Sequence, residues 1–125
     1  MKTAILYHNN RCGKSRAALL ALQEKGYEVR IRYYLEQPLS QKELIALLKK
    51  LQVPAATIVR TKEAHFKSLG DTKQFKELDW IKALVQNPIL LERPIIELSS
   101  KAWIARSPEA LSILEVYVLR STQAL

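Results

Sequence analysis

The chain has 125 residues, enough for one domain with a hydrophobic core of its own. Its apolar residues (48%) and charged residues (26%) form an ordinary globular mixture, and a single cysteine excludes a disulfide scaffold. Twenty basic residues against twelve acidic ones give a net charge of +8, which favours anionic partners such as nucleic acid, acidic protein surfaces or small oxyanions.

The apolar stretch near the N-terminus is only five residues long, too short for a signal peptide. Nowhere does an apolar run approach the roughly 20 residues of a membrane span. We therefore expect one domain over residues 1–125, a reduced cytoplasmic compartment and no membrane contact.

The first part of the chain predicts a strand, a helix and a second strand. Residues 4–7 are apolar, as in a buried strand, and the Ala- and Leu-rich stretch up to Lys25 predicts a helix that ends at Gly26. Residues 27–34 alternate partly and predict the second strand. Such a unit implies two parallel strands with a right-handed crossover.

The middle of the chain predicts helices. Ser40 and Glu43 form a capping box ahead of leucines at helical spacing, which indicates the clearest helix of the chain. A second helix is expected over residues 62–69, and a third begins at Asp71 or Thr72. Four side chains of the third helix are expected to face inward: Leu78, Ile81, Leu84 and Val85.

The last part of the chain predicts a strand hairpin and a final helix. Residues 95–98 and 101–105 are expected to pair as antiparallel strands joined by two serines. Ser107 is followed by a proline and an acidic residue, which is the pattern of a helix start, and this helix is expected to continue through Leu114. The tail beyond it has weak signals.

Cys12 is the candidate nucleophile, because it lies between the first strand and the first helix. A helix N-terminus lowers a thiol pKa from about 8.5, and its unpaired N–H groups can also hold a tetrahedral anion. Ser15, one turn further on, is expected to donate a hydrogen bond to the sulfur. Positive charge is expected from three neighbours, Arg11, Lys14 and Arg16, and His8 is a further candidate whose charge the sequence leaves open. The alternative, a buried cysteine that only packs, fits these polar flanks less well.

Taken together, the motifs resemble those of the glutaredoxin-coupled arsenate reductases, a family with the thioredoxin-like fold. The matching segments follow the family order from residue 4 to about residue 115: residues 7–9, Cys12 and Gly13, Ser15 and Arg16, residues 34–38, Arg60, residues 87–90, residues 93–95 and residues 106–109. The resemblance implies an α/β fold, in which a mixed four-stranded sheet has flanking helices and a helical insertion between strands 2 and 3.

The resemblance also implies roles for individual residues. Cys12 is implied as the nucleophile, supported by His8 and Ser15, and Pro94 as a cis-proline that faces the cysteine. Three arginines are implied to hold the substrate and its covalent adduct: Arg60, Arg93 and Arg106. Guanidinium groups present paired donors to oxyanions, although from the residues alone a surface salt bridge is the favoured interpretation of each arginine.

The implied reaction is the reduction of arsenate, or a similar oxyanion, to arsenite through a Cys12 thiol–arsenate adduct. Because the chain has no second cysteine, an outside thiol is needed to resolve the intermediate. The resemblance implies glutathione as co-substrate and glutaredoxin as reductant, with no metal or tightly bound cofactor. Nucleic acid is not expected as a partner.

Two alternatives compete with this hypothesis. One is a non-enzymatic thiol-based regulator that binds RNA polymerase; such regulators of the superfamily usually carry Cys-x-x-Cys, whereas Ser15 occupies the second position here. The other is a generic monothiol, which would leave the three arginines without a task. The chain departs from the family at three positions, Asn10 in place of a usual proline and the more strongly charged Arg11 and Lys14.

Overall fold

One mixed sheet of four strands organises the chain, in the order β2–β1–β3–β4. In the computed structural model, which describes residues 2–113, the strands are β1 (Thr3–Tyr7), β2 (Glu28–Arg32), β3 (Ile95–Glu97) and β4 (Ala102–Ile104). β1 and β2 are parallel, whereas β3 pairs antiparallel with both β1 and β4. The predicted sheet, with its parallel unit and its hairpin, is confirmed.

Helix α1 (Gly13–Glu24) connects the two parallel strands. Its Ala- and Leu-rich sequence favours a helix, and it buries Ala18 and Leu22 on one face. The helix ends where predicted, since Gly26 has a φ of +83°, a left-handed conformation that glycine adopts without strain from a Cβ atom.

The hydrophobic core of this unit consists of side chains from the sheet and from α1. Leu6, Leu22 and Ile96 have no exposed surface, and burial stabilises each by about 1.5–3 kcal/mol. Trp103 on β4 belongs to the same core, and its indole N–H donates to the carbonyl of Ala110 at 2.8 Å. That bond ties the chain beyond β4 to the core.

Helix α4 (Pro108–Leu111) follows β4. The Ser107 hydroxyl accepts a hydrogen bond from the backbone N–H of Ala110 at 3.1 Å, as expected of an N-cap serine. The predicted continuation through Leu114 and the tail lie outside the described residues.

The chain divides into two compact units: the first is formed by the residues up to 32 and from 93 onward, and the second is Tyr33–Glu92. The second unit is the helical insertion between β2 and β3, and it contains α2 (Gln41–Leu51) and α3 (Glu77–Gln86). The organisation of residues 1–125 as one domain stays a prediction. None of the helices within residues 2–113 combines the length and apolar character that crossing a membrane requires.

Helix α2 begins with the predicted capping box. The backbone N–H of Glu43 donates to the Ser40 hydroxyl at 3.1 Å, and the Glu43 carboxylate accepts from the Ser40 N–H at 3.0 Å. Leucines at helical spacing then bury one face of the helix: Leu44, Leu47 and Leu48.

The prediction that α3 begins at Asp71 or Thr72 is wrong, because α3 starts at Glu77. The Asp71 carboxylate instead accepts from the backbone N–H of Lys73 at 3.0 Å, which forms a turn. Glu77 also anchors the start of the helix, since both of its carboxylate oxygens lie 3.0 Å from the backbone nitrogen of Ala55.

Two further expectations in the second unit are corrected. The segment predicted as a helix over residues 62–69 is a 3-10 helix, Ala64–Leu69, with no buried residue, so no apolar face holds it in a longer α-helix. Leu78 is 47% exposed rather than inward-facing, and it lies in the first turn of α3, before the buried Ile81 and Leu84. Val85 is half-buried.

Candidate active site

The ends of three strands determine where the candidate site forms. Tyr7 of β1 lies opposite Ile95 of β3, and Ile95 lies opposite Ile104 of β4. The chain therefore leaves β1, enters β3 and leaves β4 at one edge of the sheet. Four of the predicted site residues lie on the segments at this edge: His8, Cys12, Arg93 and Arg106.

Cys12 is the N-cap residue of α1, with extended backbone angles (φ −99°, ψ 121°). The side chain of an N-cap residue faces the N–H groups of the second and third helical residues, which have no partner within the helix. In α1 these residues are Lys14 and Ser15. The half-buried thiol therefore lies where a helix favours negative charge.

The surroundings of Cys12 lower the pKa of its thiol. Burial raises the pKa, but the backbone N–H of Ser15, the guanidinium of Arg93 and the backbone N–H of Lys14 together outweigh burial. Arg93 acts both by hydrogen bonding and by its positive charge. The thiolate, which is the nucleophilic form of cysteine, is thus favoured.

The loop before Cys12 is held by Asn9. The backbone N–H of Asn9 donates to the Ser15 hydroxyl at 3.2 Å, and its side-chain oxygen accepts from the backbone N–H of Arg11 at 3.0 Å. The Asn9 carbonyl accepts from the backbone N–H of Cys12 at 2.9 Å. Sequence reasoning gave Asn9 no role, although asparagine after a strand often forms such a turn.

The sequence predicted that the hydroxyl of Ser15 acts on the sulfur of Cys12, whereas in the structure a different group of Ser15 does so. Its side chain is fully buried, and its hydroxyl receives the hydrogen bond from Asn9. The group of Ser15 that lowers the pKa of Cys12 is its backbone N–H. Every residue except proline has a backbone N–H at this position, so the serine side chain contributes by holding the loop.

His8 is 4% exposed and continues β1, with its backbone N–H donating to the carbonyl of Arg32 at 2.9 Å. Burial lowers the pKa of the imidazole, and the charge of Arg16 lowers it further. The structure therefore favours neutral His8, a charge state that the sequence had left open. Arg16 itself reaches back to the loop, donating to the Asn10 carbonyl at 3.2 Å.

Arg93 and Arg106 flank the open end of the β3–β4 hairpin. Arg93 precedes Pro94, and the peptide bond between them is cis, as the resemblance implied. The backbone N–H of Ala105 donates to the Pro94 carbonyl at 2.8 Å, which extends the hairpin pairing toward both arginines. Arg93 is half-buried, whereas Arg106 is exposed and lines a groove with Gly13.

Arg60 belongs to the second unit. Its backbone N–H donates to the carbonyl of Leu90 at 2.7 Å, next to a bridge between Val59 and Leu91. The guanidinium of Arg60 lies 3.4 Å from the carboxylate of Glu63, and the Arg60 side chain is 21% exposed. A role for Arg60 in substrate binding stays a prediction.

Comparison with known proteins identifies the family. The model of the ArsC family matches residues 7–114, which include the Cys12 loop and the β3–β4 hairpin. The chain belongs to the ArsC family. An arsenate reductase of Haemophilus influenzae is 37% identical over 116 residues, covering 91% of this chain and 98% of that protein. The Escherichia coli protein YfgD is 41% identical over 117 residues, covering 92% and 97%.

The solved structures agree with the fold of this ArsC family member. An arsenate reductase from Vibrio cholerae superimposes with a TM-score of 0.83 at 32% sequence identity, covering 90% of this chain and 98% of that one. The shared architecture is the mixed four-stranded sheet with flanking helices.

Proposed function

We propose that the protein reduces arsenate to arsenite through a Cys12 thiol–arsenate adduct, with glutathione and glutaredoxin supplying the reducing thiols. The observation that carries the proposal is the placement of Cys12 at the start of α1, where the N–H groups of Ser15 and Lys14 and the Arg93 guanidinium lower the pKa of its thiol. Relatives named arsenate reductase support the choice of substrate.

In the first step, the Cys12 thiolate attacks arsenic(V). A sulfur–arsenic bond forms, an arsenic–oxygen bond breaks, and the oxygen leaves as hydroxide or, after protonation, as water. The incoming oxyanion and the thiolate are both negative, so their approach requires positive charge. Arg93 supplies it beside the sulfur, and we assign the same task to Arg60 and Arg106, because a guanidinium presents paired donors to oxyanions.

In the second step, the thiolate of glutathione attacks the Cys12 sulfur of the adduct. A disulfide forms between the two sulfurs, the sulfur–arsenic bond breaks, and its electron pair stays on arsenic, which leaves as arsenite. The two thiols together have lost two electrons, and arsenic has passed from the +5 to the +3 state. The chemistry needs no metal.

In the third step, a glutaredoxin thiolate attacks the glutathione sulfur of the mixed disulfide, which releases the Cys12 thiolate. Because Cys12 is the one cysteine of the chain, no internal thiol can perform this step. His8 and Ser15 support the thiolate at the start and the end of the cycle. The buried Ser15 hydroxyl does so by holding the loop that carries the cysteine.

The test is a coupled assay with arsenate, glutathione, glutaredoxin, glutathione reductase and NADPH. We expect arsenate-dependent oxidation of NADPH by the wild-type protein and loss of that activity, down to the background without enzyme, in Cys12→Ser. A serine hydroxyl is a far weaker nucleophile than a thiolate.

Substitution of the arginines tests the assignment of the substrate-binding groups. We expect Arg60→Ala and Arg106→Ala each to raise the KM for arsenate, with Arg30→Ala, on an exposed position of β2, as the control that leaves it unchanged. An unchanged KM for arsenate in both variants would show that the arginines are wrongly assigned. Absence of arsenate turnover combined with binding of RNA polymerase would favour the regulator instead.

A further inference from the structure

A groove opens beside the first turns of α1. It has a volume of about 270 Å³, and its wall comes from α1, from the segment after β4 and from α4. Six of the residues that line it are Gly13, Lys14, Ala17, Ala105, Arg106 and Leu111. The groove therefore begins one residue after Cys12 and lies entirely within the first unit.

The lining of the groove combines apolar surface with positive charge. Ala17, Ala105 and Leu111 contribute apolar side chains, while Lys14 and Arg106 are exposed cations. Among the described residues that line the groove, none is acidic. Arsenate is too small and too strongly hydrated to use an apolar wall. An organic anion several bonds long satisfies both features of the lining.

Gly13 lines the end of the groove that adjoins Cys12 in the chain. Its φ is not positive, and a Cβ atom built on it would meet only the Arg16 guanidinium, at an ordinary distance of 3.8 Å. Neither backbone conformation nor packing therefore requires glycine here, although glycine is a poor helix former. The missing side chain leaves the groove wider at the end that adjoins Cys12 in the chain.

We propose that this groove binds the peptide portion of the thiol co-substrate, a small peptide thiol with free carboxylates such as glutathione. The inference rests on the function proposed above and adds a binding site to it. Lys14 attracts a carboxylate of the peptide, Ala17 and Leu111 contact its apolar part, and the peptide sulfur approaches Cys12 past Gly13. The charge of the groove is complementary to that of the peptide.

The experiment measures thiol–disulfide exchange without arsenate. The Cys12 thiolate attacks glutathione disulfide, a new disulfide forms between Cys12 and one glutathione, and the other glutathione leaves as thiolate. Mass spectrometry of the intact protein yields the rate. The same rate is measured with bis(2-hydroxyethyl) disulfide, which has no charge and no peptide. The ratio of the two rates cancels changes in the reactivity of the thiolate itself.

Two variants probe the groove by different means. Lys14→Glu reverses a charge, and we expect it to lower the ratio about tenfold, within the usual range of electrostatic effects on association. Ala17→Tyr fills the groove at an exposed position and is expected to lower the ratio without any change of charge. Lys101→Glu, in the turn at the opposite end of the β3–β4 hairpin, makes the same charge change and should keep the wild-type ratio.

The proposal is overturned if Lys14→Glu and Ala17→Tyr leave the ratio unchanged, or if the wild-type protein forms no mixed disulfide with glutathione disulfide. Since the assay contains no arsenate, its result is independent of arsenate turnover. If the protein does not turn over arsenate but the ratio still depends on Lys14 and Ala17, arsenate is rejected as the substrate and binding of the peptide thiol in the groove is supported.

Discussion

The reactivity of Cys12 depends on a balance between opposing effects on one atom. Burial of the sulfur disfavours its charge, and the N–H groups of Ser15 and Lys14 and the guanidinium of Arg93 favour it. The two N–H groups follow from the position at the helix start, whereas the guanidinium comes from a residue 81 positions later in the chain. The nearest arginine in sequence, Arg11, is exposed.

This difference between Arg93 and Arg11 leads to a prediction about pH. We expect Arg93→Ala to raise the pKa of the Cys12 thiol, because it removes a hydrogen bond to the thiolate and a nearby positive charge. Alkylation by iodoacetamide measured against pH reports the thiolate fraction, so its midpoint should move to higher pH. Arg11→Ala is the matched control and should leave the midpoint in place; an equal shift in both variants would contradict the assignment.

At the scale of elements, α1 and α2 begin in different ways. Helix α2 starts with Ser40 and Glu43, whose reciprocal hydrogen bonds satisfy N–H groups that the helix leaves unpaired. Helix α1 starts with Cys12 as its N-cap residue, and the N–H groups of Ser15 and Lys14 lower the pKa of its thiol. The same physical feature, a set of unpaired N–H groups, therefore stabilises structure in α2 and a thiolate in α1.

The capping box of α2 can be tested by its effect on stability. Replacing Ser40 by alanine leaves the N–H of Glu43 without its partner and is expected to lower the free energy of unfolding by about 1 kcal/mol. Denaturation with urea measures this change. Ser99→Ala, at an exposed bend, is the control and should stay within about 0.5 kcal/mol of the wild-type protein. Equal losses would show that the cap contributes nothing specific.

At the scale of the whole molecule, buried His8 links stability to pH. Folding lowers the pKa of His8, through burial and through Arg16, so the unfolded chain binds this proton more readily than the folded one. The stabilisation is therefore complete above the ordinary pKa of about 6.5, and it is lost as the pH falls through the folded value.

We accordingly expect the Tm to fall between pH 7 and pH 5, and to fall less in His8→Gln, which cannot take up the proton. The measurement is thermal unfolding followed by circular dichroism across this range. His65→Gln is the control, because the His65 side chain is 59% exposed, and it should keep the wild-type pH dependence. A steeper fall in His8→Gln would reverse the assigned sign.

Much of the fold could be predicted from local patterns. Four such features depend on only a few neighbouring residues: the end of β1 at Tyr7, the end of α1 before Gly26, the capping box at Ser40 and the N-cap at Ser107. The structure has each of them where the sequence predicted it. The errors lie in the second unit, around residues 62–78, where turns and a 3-10 helix depend on local hydrogen bonds that competed with the helical pattern.

The sequence by itself determined that a lone cysteine would stand at a helix start after a buried strand, because both features are local. Only the tertiary structure determined which positively charged side chain lies close to the cysteine. The pairing of β1 with β3 and of β3 with β4 brings Arg93 and Arg106 to the edge of the sheet where the cysteine loop begins. Contacts between residues some 80 positions apart follow from strand pairing, which no local pattern of residues contains.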